Sequence, residues 1–125
     1  GGLCPIGDIY KTQAYALCQY INKYEEKIPE TIINKAPSAE LRPNQKDSDS
    51  LPDYPLLDSI LKLFIEGQLG KNEIIEKGCD ALTVNKIVDL VNRNEYKRWQ
   101  AAPVLKVTTK DFSYGRKMPL VAKYD

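Results

Sequence analysis

Histidine is absent from all 125 residues of this chain, which excludes several kinds of catalytic site. Ser-His-Asp and Cys-His enzymes and His-containing zinc sites each need at least one imidazole. The three cysteines, Cys4, Cys18 and Cys79, are widely spaced and form no Cys-x-x-Cys pair, so they fit neither a metal cluster nor a disulfide framework. We therefore expect reduced thiols, a cytoplasmic location and no metal site built from these residues.

The chain also lacks a strong charge of one sign and any long apolar run. Its 18 Lys and Arg residues against 17 Asp and Glu residues give a net charge of +1. Such a balance creates no broad field to attract nucleic acid or an anionic membrane. No apolar run approaches the roughly 20 residues that cross a bilayer. We expect neither nucleic acid nor a membrane as a partner, and the 42% of hydrophobic residues suffices for one modest core.

Apolar residues recur at helical spacing along most of the chain, which predicts a mostly α-helical fold. Capping residues and first-turn prolines predict helix starts at Asp8, Pro29, Pro55, Asn72 and Thr83. The corresponding apolar patterns end near Ile21, Ala36, Gly67, Gly78 and Trp99. The predicted buried face of the last helix consists of Val84, Ile87, Val88 and Val91.

Two short apolar runs have the character of strands. Leu3–Ile6 is predicted to be a short buried strand, and Val104–Val107 an edge strand. A buried strand needs partners for its backbone groups. Leu3–Ile6 therefore implies a sheet to which this chain contributes only a part.

A long polar segment, Ser38–Asp53, interrupts the helical pattern. Pro37 ends the preceding helix, and Pro43 and Pro52 prevent a new one from running through the segment. Stretches of this length without regular structure are usually either functional lids or disordered. We expect a lid that is poorly ordered without its ligand, and a plain surface loop is the alternative.

Four segments of the chain resemble NAD+ synthetases, in order and in spacing. Lys35–Leu41 resembles the family's Pro-(Thr/Ser)-Ala-(Asp/Glu)-Leu segment, and Gly7–Thr12 its strand-to-helix turn with a phosphate-binding lysine. Arg42–Gln45 with Asp49–Pro52 is similar to the glutamine-dependent members, and Asn94–Pro103 resembles the substrate-binding Glu-(His/Tyr)-Lys-Arg stretch. The Ser-Gly-Gly-x-Asp-Ser nucleotide loop of the family does not occur in this sequence.

The resemblance implies a fold and a place within it. Residues 1–125 are expected to be the C-terminal portion of an NAD+ synthetase domain, with the nucleotide loop and any glutaminase domain upstream. The expected fold is a helix-rich fragment of a doubly wound α/β domain of the adenine-nucleotide α-hydrolase type, with its short buried strand at Leu3–Ile6.

The resemblance also implies an activity for the intact protein. ATP and Mg2+ would activate deamido-NAD+ as an adenylate, and ammonia, drawn from glutamine, would complete the amide of NAD+. The intact enzyme is expected to be a homo-oligomer, and this fragment alone inactive. A non-catalytic helical interaction module is the alternative, and a weaker one is nucleic-acid binding through Lys97, Arg98, Trp99 and Lys106.

The resemblance implies that Lys11 and Ser38 contact the phosphates of ATP. Lys11 is predicted in the first turn of a helix, where the dipole disfavours a cation unless an anion binds beside it. Thr12 is a further candidate at the same turn. A solvated Lys11 is the alternative, and Ser38 could equally form a turn with its own backbone.

The resemblance implies that Lys97 binds deamido-NAD+, with Tyr96 as a further candidate beside it. The charged residues that could order the Ser38–Asp53 segment over the substrate, or simply be solvated, are Glu40, Arg42, Asp47 and Asp49. Tyr96 stands where single-domain members often have histidine. Lys97 is predicted near a helix C-terminus, where the dipole favours a cation whether or not a ligand is present. No residue is assigned a catalytic or metal-binding role.

Overall fold

The computed structural model describes residues 2–38, 41–111, 115 and 117–121, and their regular structure is helical. The helices are α1 (Lys11–Ile21), α2 (Glu30–Ile33), α3 (Tyr54–Ile65), α4 (Lys71–Glu76), α5 (Ala81–Arg93) and α6 (Glu95–Gln100), with a 3-10 helix at Asp47–Asp49. The chain divides into two compact units, one of Gly1–Ile9 with Ser59–Asp125 and the other of Tyr10–Asp58. None of the described helices is both long and apolar enough to span a bilayer. The prediction of a mostly α-helical chain is confirmed.

The predicted N-caps of α1 and α4 are wrong. α1 is capped at Tyr10 rather than Asp8, and α4 at Gly70 rather than Asn72. At α4 the Glu73 carboxylate accepts the Gly70 amide at 2.7 Å, which fixes an earlier start. Asp8 is buried and accepts hydrogen bonds from Val107 and Thr108, far along the chain, so its side chain does not cap α1.

The start of α5 also differs from the prediction, whereas two helix limits are confirmed. Asp80 is the N-cap, and its Oδ2 accepts both the amide and the hydroxyl of Thr83 at 2.8 Å, so Thr83 lies inside the first turn. Gly78 follows α4 with a φ of +94°, the left-handed conformation that glycine adopts most readily at a helix end. Pro29 precedes α2 as predicted.

The prediction of a buried strand at Leu3–Ile6 is wrong. Cys4 forms an isolated parallel bridge with Val104, and Pro5 and Ile6 form a turn. Leu3 is 52% exposed and Ile6 is 59% exposed. A strand persists only where its backbone groups pair, and in the part of the chain that the structure describes only this one bridge forms. The edge strand predicted at Val104–Val107 is reduced to the same bridge.

The larger unit is built around the helices α4, α5 and α6. α5 packs against both α4 and α6, and an ion pair of 2.8 Å joins Lys71 of α4 to Asp89 of α5. The buried hydrophobic residues of this unit are Ile60, Ile74, Val84, Ile87 and Val88. Three of the four residues predicted for the buried face of α5 are therefore confirmed as buried.

The Tyr10–Asp58 unit relies more on hydrogen bonds than on burial. Among its described residues only Leu57 and Asp58 are buried. Asn22, which follows α1, accepts the amides of Lys27 and Ile28 at 3.0 and 2.9 Å, and its side-chain amide donates to the Ile28 carbonyl at 2.7 Å. This single side chain shapes the turn that leads from α1 towards α2.

Candidate functional site

Lys11 is the first residue of α1, and its side chain lies over two aromatic rings. The Nζ atom is 5.5 Å from the ring centroid of Tyr15 and 5.9 Å from that of Tyr54. A cation at such distances is attracted to the ring faces by about 0.5 to 1 kcal/mol at an exposed site. The ammonium group is therefore oriented by the protein, although Lys11 itself is exposed.

Thr12 is hydrogen-bonded to the Asp58 carboxylate, which belongs to the same unit. Its amide donates to Oδ2 of Asp58 at 2.8 Å, and Asp58 is only 4% exposed. A carboxylate at this position is favourable because the helix dipole is positive there. The Thr12 amide is thus already engaged, and an anionic ligand at this end of α1 would be met by the Lys11 side chain.

A cavity of about 510 Å³ lies within the Tyr10–Asp58 unit, and both aromatic partners of Lys11 line it. Its apolar wall is formed by the side chains of Tyr15, Ala16, Ala36, Pro37, Pro52, Tyr54 and Pro55. The polar groups on its wall are Thr12, Gln19, Lys46, Asp47, Ser48 and Asp53. An apolar wall with a few polar groups is the usual composition of a small-molecule site.

Ser38 lines a second, more polar concavity of about 560 Å³ in the same unit. This concavity shares Ala36 and Lys46 with the first cavity and also contains Lys35 and Arg42. The described lining residues carry three cationic side chains and no acidic one. Such a set of charges favours an anionic ligand beside the Ser38 hydroxyl. Glu40 lies outside the described residues.

The segment that was expected to form a lid contains a hydrogen-bonded turn at Asp47. The Asp47 amide donates to the Pro37 carbonyl at 2.9 Å, and the Asp47 carbonyl accepts the amides of Ser50 and Leu51 at 3.1 and 2.9 Å. The Tyr54 hydroxyl donates a short hydrogen bond to Asp47 Oδ2. Burial and the neighbouring Asp47 carboxylate raise the pKa of Tyr54 above its ordinary value, so its hydroxyl keeps the donated proton. The mobility of this segment without ligand stays a prediction.

Lys97 and Arg98 occupy very different surroundings in α6. Lys97 is exposed, with its Nζ atom 6.0 Å from the ring centroid of Tyr96. Arg98 is only 8% exposed and pairs with Glu95 at 3.7 Å, and Glu95 also accepts the Met118 amide at 3.1 Å. Lys97 is thus available to a ligand, whereas Arg98 has a structural position. The last turn of α6 also accounts for a cation at Lys97 without any ligand.

The predicted site residues fall into two groups. Lys11, Thr12 and Ser38 belong to the Tyr10–Asp58 unit, and Tyr96 and Lys97 to the other. Sequence reasoning missed Tyr15 and Tyr54, and it considered Asp47 only as one of several charged residues that could order the Ser38–Asp53 segment. Tyr15 is four residues after Lys11, a helical spacing that places both side chains on one face. The contact of Tyr54 with Asp47 has no such signal, because it depends on how an irregular segment folds.

The chain is similar to proteins of known family across most of its length. Residues 1–101 match the family model described as NAD synthase. Three similar relatives each carry the name glutamine-dependent NAD(+) synthetase. The protein of Aquifex aeolicus (strain VF5) is 47% identical over 124 residues, that of Acinetobacter baylyi 46% over 123, and that of Synechocystis sp. 45% over 124. These matches cover 97 to 99% of this chain but only 22 to 23% of the relatives' length.

A solved structure is similar as well. It is the glutamine-dependent NAD+ synthetase from Acinetobacter baumannii in complex with adenosine diphosphate, with 40% sequence identity and a TM-score of 0.56. The match covers 91% of this chain and 19% of that one.

Proposed function

This chain belongs to the NAD synthase family, and from that membership we propose that the intact protein is a glutamine-dependent NAD+ synthetase. The observation that carries the proposal is the match of residues 1–101 to the family model. In the proposed reaction a carboxylate oxygen of deamido-NAD+ attacks the α-phosphorus of ATP, and pyrophosphate leaves. Ammonia, released from glutamine, then attacks the acyl carbon, and AMP leaves as the amide of NAD+ forms.

We assign the contacts with ATP phosphate to Lys11 and Ser38. The ring contacts that orient the Lys11 ammonium group and the cationic concavity beside Ser38 support this assignment. So does the ADP bound to the related synthetase from Acinetobacter baumannii. Negative charge grows on the departing pyrophosphate, so a preoriented ammonium and a hydroxyl donor stabilise the transition state. Thr12, at the same end of α1, is a further candidate for this phosphate site.

We propose that Lys97, with Tyr96 beside it, binds deamido-NAD+. Deamido-NAD+ carries phosphate groups and a carboxylate, and an exposed ammonium is a suitable partner for either. The exposure of Lys97, in contrast to the buried Arg98, supports this choice. Glu40 remains a candidate, from the sequence, for ordering the Ser38–Asp53 segment over the substrate.

The segment Ser38–Asp53 would serve as a lid over the ATP phosphates. Water would otherwise hydrolyse the acyl-adenylate before ammonia reaches it, and closure of a segment over the site excludes that reaction. Among the described residues no three Asp, Glu or Cys side chains lie close enough to hold a metal ion.

The remaining parts of the proposed enzyme lie in the rest of the protein. The chain spans about a fifth of the length of the relatives it matches, which leaves room for a nucleotide loop, a doubly wound sheet and a glutaminase domain. We propose that residues 1–125 form the C-terminal portion of the synthetase domain. The same proposal makes the intact enzyme a cytoplasmic homo-oligomer and the isolated fragment inactive.

The role of Lys11 is testable in the full-length protein. Lys11→Ala removes a charge-assisted contact, so kcat/KM for ATP should fall about 10- to 150-fold, equivalent to roughly 1.5 to 3 kcal/mol. Lys11→Arg keeps the charge but changes its shape, and should lose less.

Lys23→Ala is the matched control, because the Lys23 Nζ atom also lies over a ring, 5.1 Å from the centroid of Tyr24. It should leave kcat/KM for ATP unchanged. An unchanged value in Lys11→Ala would place Lys11 among solvated surface lysines and remove it from the proposed site.

A further inference from the structure

We propose that Tyr54 and Asp47 form a positioning pair that holds two groups in a fixed arrangement: the Lys11 ammonium group, and the base of the Ser38 loop, which is the Pro37–Asp47 hydrogen bond that closes the loop carrying Ser38. The proposal rests on the proposed function, because it assumes that Lys11 and Ser38 bind the phosphates of ATP. It adds two residues that neither touch the reacting atoms nor belong to any of the recognised motifs.

The first link in this arrangement is the ring of Tyr54. The Lys11 Nζ atom lies 5.9 Å from the Tyr54 ring centroid and 5.5 Å from that of Tyr15, so two aromatic faces limit where the ammonium group lies. Tyr15 is part of α1, the same helix as Lys11. Tyr54 begins α3 and connects Lys11 to a different part of the chain.

The second link is the hydrogen bond from the Tyr54 hydroxyl to Asp47 Oδ2. Asp47 also lines the 510 Å³ cavity, where a free carboxylate would repel a phosphate ligand. The hydroxyl of Tyr54 partly neutralises that repulsion by donating to Asp47. Burial, and then Asp47, Tyr15 and Asp58, raise the pKa of Tyr54 above its ordinary value, so the hydroxyl is a donor at neutral pH and stays one well into the alkaline range.

The third link is the backbone of Asp47. Its amide donates to the Pro37 carbonyl at 2.9 Å, which closes the loop directly before Ser38. Its carbonyl accepts Ser50 and Leu51, so the turn that follows is fixed by the same residue. One path of contacts therefore runs from Lys11 through Tyr54 and Asp47 to the base of the Ser38 loop.

The kinetic test uses the full-length protein and removes one atom. Tyr54→Phe keeps the ring beneath Lys11 but loses the hydroxyl, and should raise KM for ATP on the order of 3- to 10-fold, the range expected for one hydrogen bond. KM for deamido-NAD+ should stay within about twofold. Asp47→Asn keeps an acceptor oxygen and should lose less than Asp47→Ala. The double variant Tyr54→Phe with Asp47→Ala should lose no more than Asp47→Ala alone, because both changes break one contact.

Tyr24→Phe is the matched control. The Tyr24 ring also lies beneath a lysine, with its centroid 5.1 Å from the Lys23 Nζ atom, but Tyr24 is 91% exposed. This variant should leave both KM values unchanged. Unchanged KM for ATP in Tyr54→Phe, or equal effects of Tyr54→Phe and Tyr24→Phe, would overturn the proposal.

Hydrogen exchange of the ligand-free full-length protein separates this proposal from the proposed function. Tyr54→Phe should speed exchange of the amides at Asp47, Ser50 and Leu51, whereas Lys11→Ala should leave them unchanged. A loss of ATP use in Lys11→Ala without any effect of Tyr54→Phe on exchange or KM overturns the positioning pair alone. A normal kcat/KM in Lys11→Ala, together with faster exchange in Tyr54→Phe, overturns the phosphate site and leaves a merely structural pair.

Discussion

Asp8 is a buried carboxylate that should control the local stability of a segment a hundred residues away. Its residue is only 6% exposed, and its Oδ2 atom accepts the amides of Val107 and Thr108 at 2.7 and 2.8 Å. The Thr108 hydroxyl adds contacts of 3.0 Å to both carboxylate oxygens. Asp8→Ala removes all of these acceptors and should release residues 107 and 108.

The expected magnitude follows from the partners that are lost. A hydrogen bond to a charged group contributes roughly 1.5 to 3 kcal/mol. Val107 is 65% exposed, so water can accept its amide once the carboxylate is gone. The expected loss is therefore the free energy of about one hydrogen bond to a charged group, although two amides lose their acceptor. Asp8→Ala should thus speed exchange of the Val107 and Thr108 amides about 10- to 150-fold. Asp8→Asn can keep an oxygen at the Oδ2 position without the charge, and should speed exchange only about 5-fold.

Hydrogen exchange with mass spectrometry on the full-length protein measures this effect. Asp80→Ala is the matched control, since Asp80 caps α5 and accepts the Thr83 amide at 2.8 Å. It should speed exchange at Thr83 and leave residues 107 and 108 unaffected. Exchange at Val107 and Thr108 that stays within about twofold of wild type in Asp8→Ala would show that the Asp8 carboxylate does not hold this segment.

Two further predictions concern Tyr54 and Lys97. The pKa of folded Tyr54 lies above its ordinary value of 10.0, so its contribution to stability is complete below about pH 10 and is lost as the pH rises further. The denaturant midpoint should therefore fall more between about pH 9 and about pH 11 in wild type than in Tyr54→Phe. Equal falls in the two proteins would contradict a raised pKa of Tyr54. Lys97→Ala should weaken deamido-NAD+ binding in a calorimetric titration while ATP affinity and thermal stability are kept. Lys86→Ala, which removes another exposed helical lysine, should change neither affinity, and unaltered deamido-NAD+ affinity in Lys97→Ala would leave Lys97 as a helix-end cation.

The helical parts of this fold could be predicted because their signal is local. The spacing of Val84, Ile87 and Val88 predicts the buried face of α5, and all three are buried. The choice of N-cap is less local, since Asp80 is the N-cap of α5 and accepts the amide of Thr83, the residue predicted to cap the helix. Leu3–Ile6 has the composition of a strand, but a strand depends on partners that composition does not supply.

The candidate site could be predicted only in part, for the same physical reason. Lys11 and Ser38 belong to short motifs with a recognisable order, and Tyr15 follows Lys11 at a helical spacing. The contact between Tyr54 and Asp47 depends on the closure of an irregular segment through the Pro37 carbonyl, and no periodic pattern encodes it. Such contacts become visible only once the segment has a structure.

NAD+ formation by the intact protein is the most direct test of the proposed function. The purified full-length protein is supplied with deamido-NAD+, ATP, Mg2+ and either glutamine or ammonia, and NAD+ and AMP are quantified together. We expect NAD+ and AMP in equal amounts, from either nitrogen source. Absence of NAD+ formation, with no binding of ATP or deamido-NAD+ by the folded full-length protein, would contradict it and favour a non-catalytic helical interaction module.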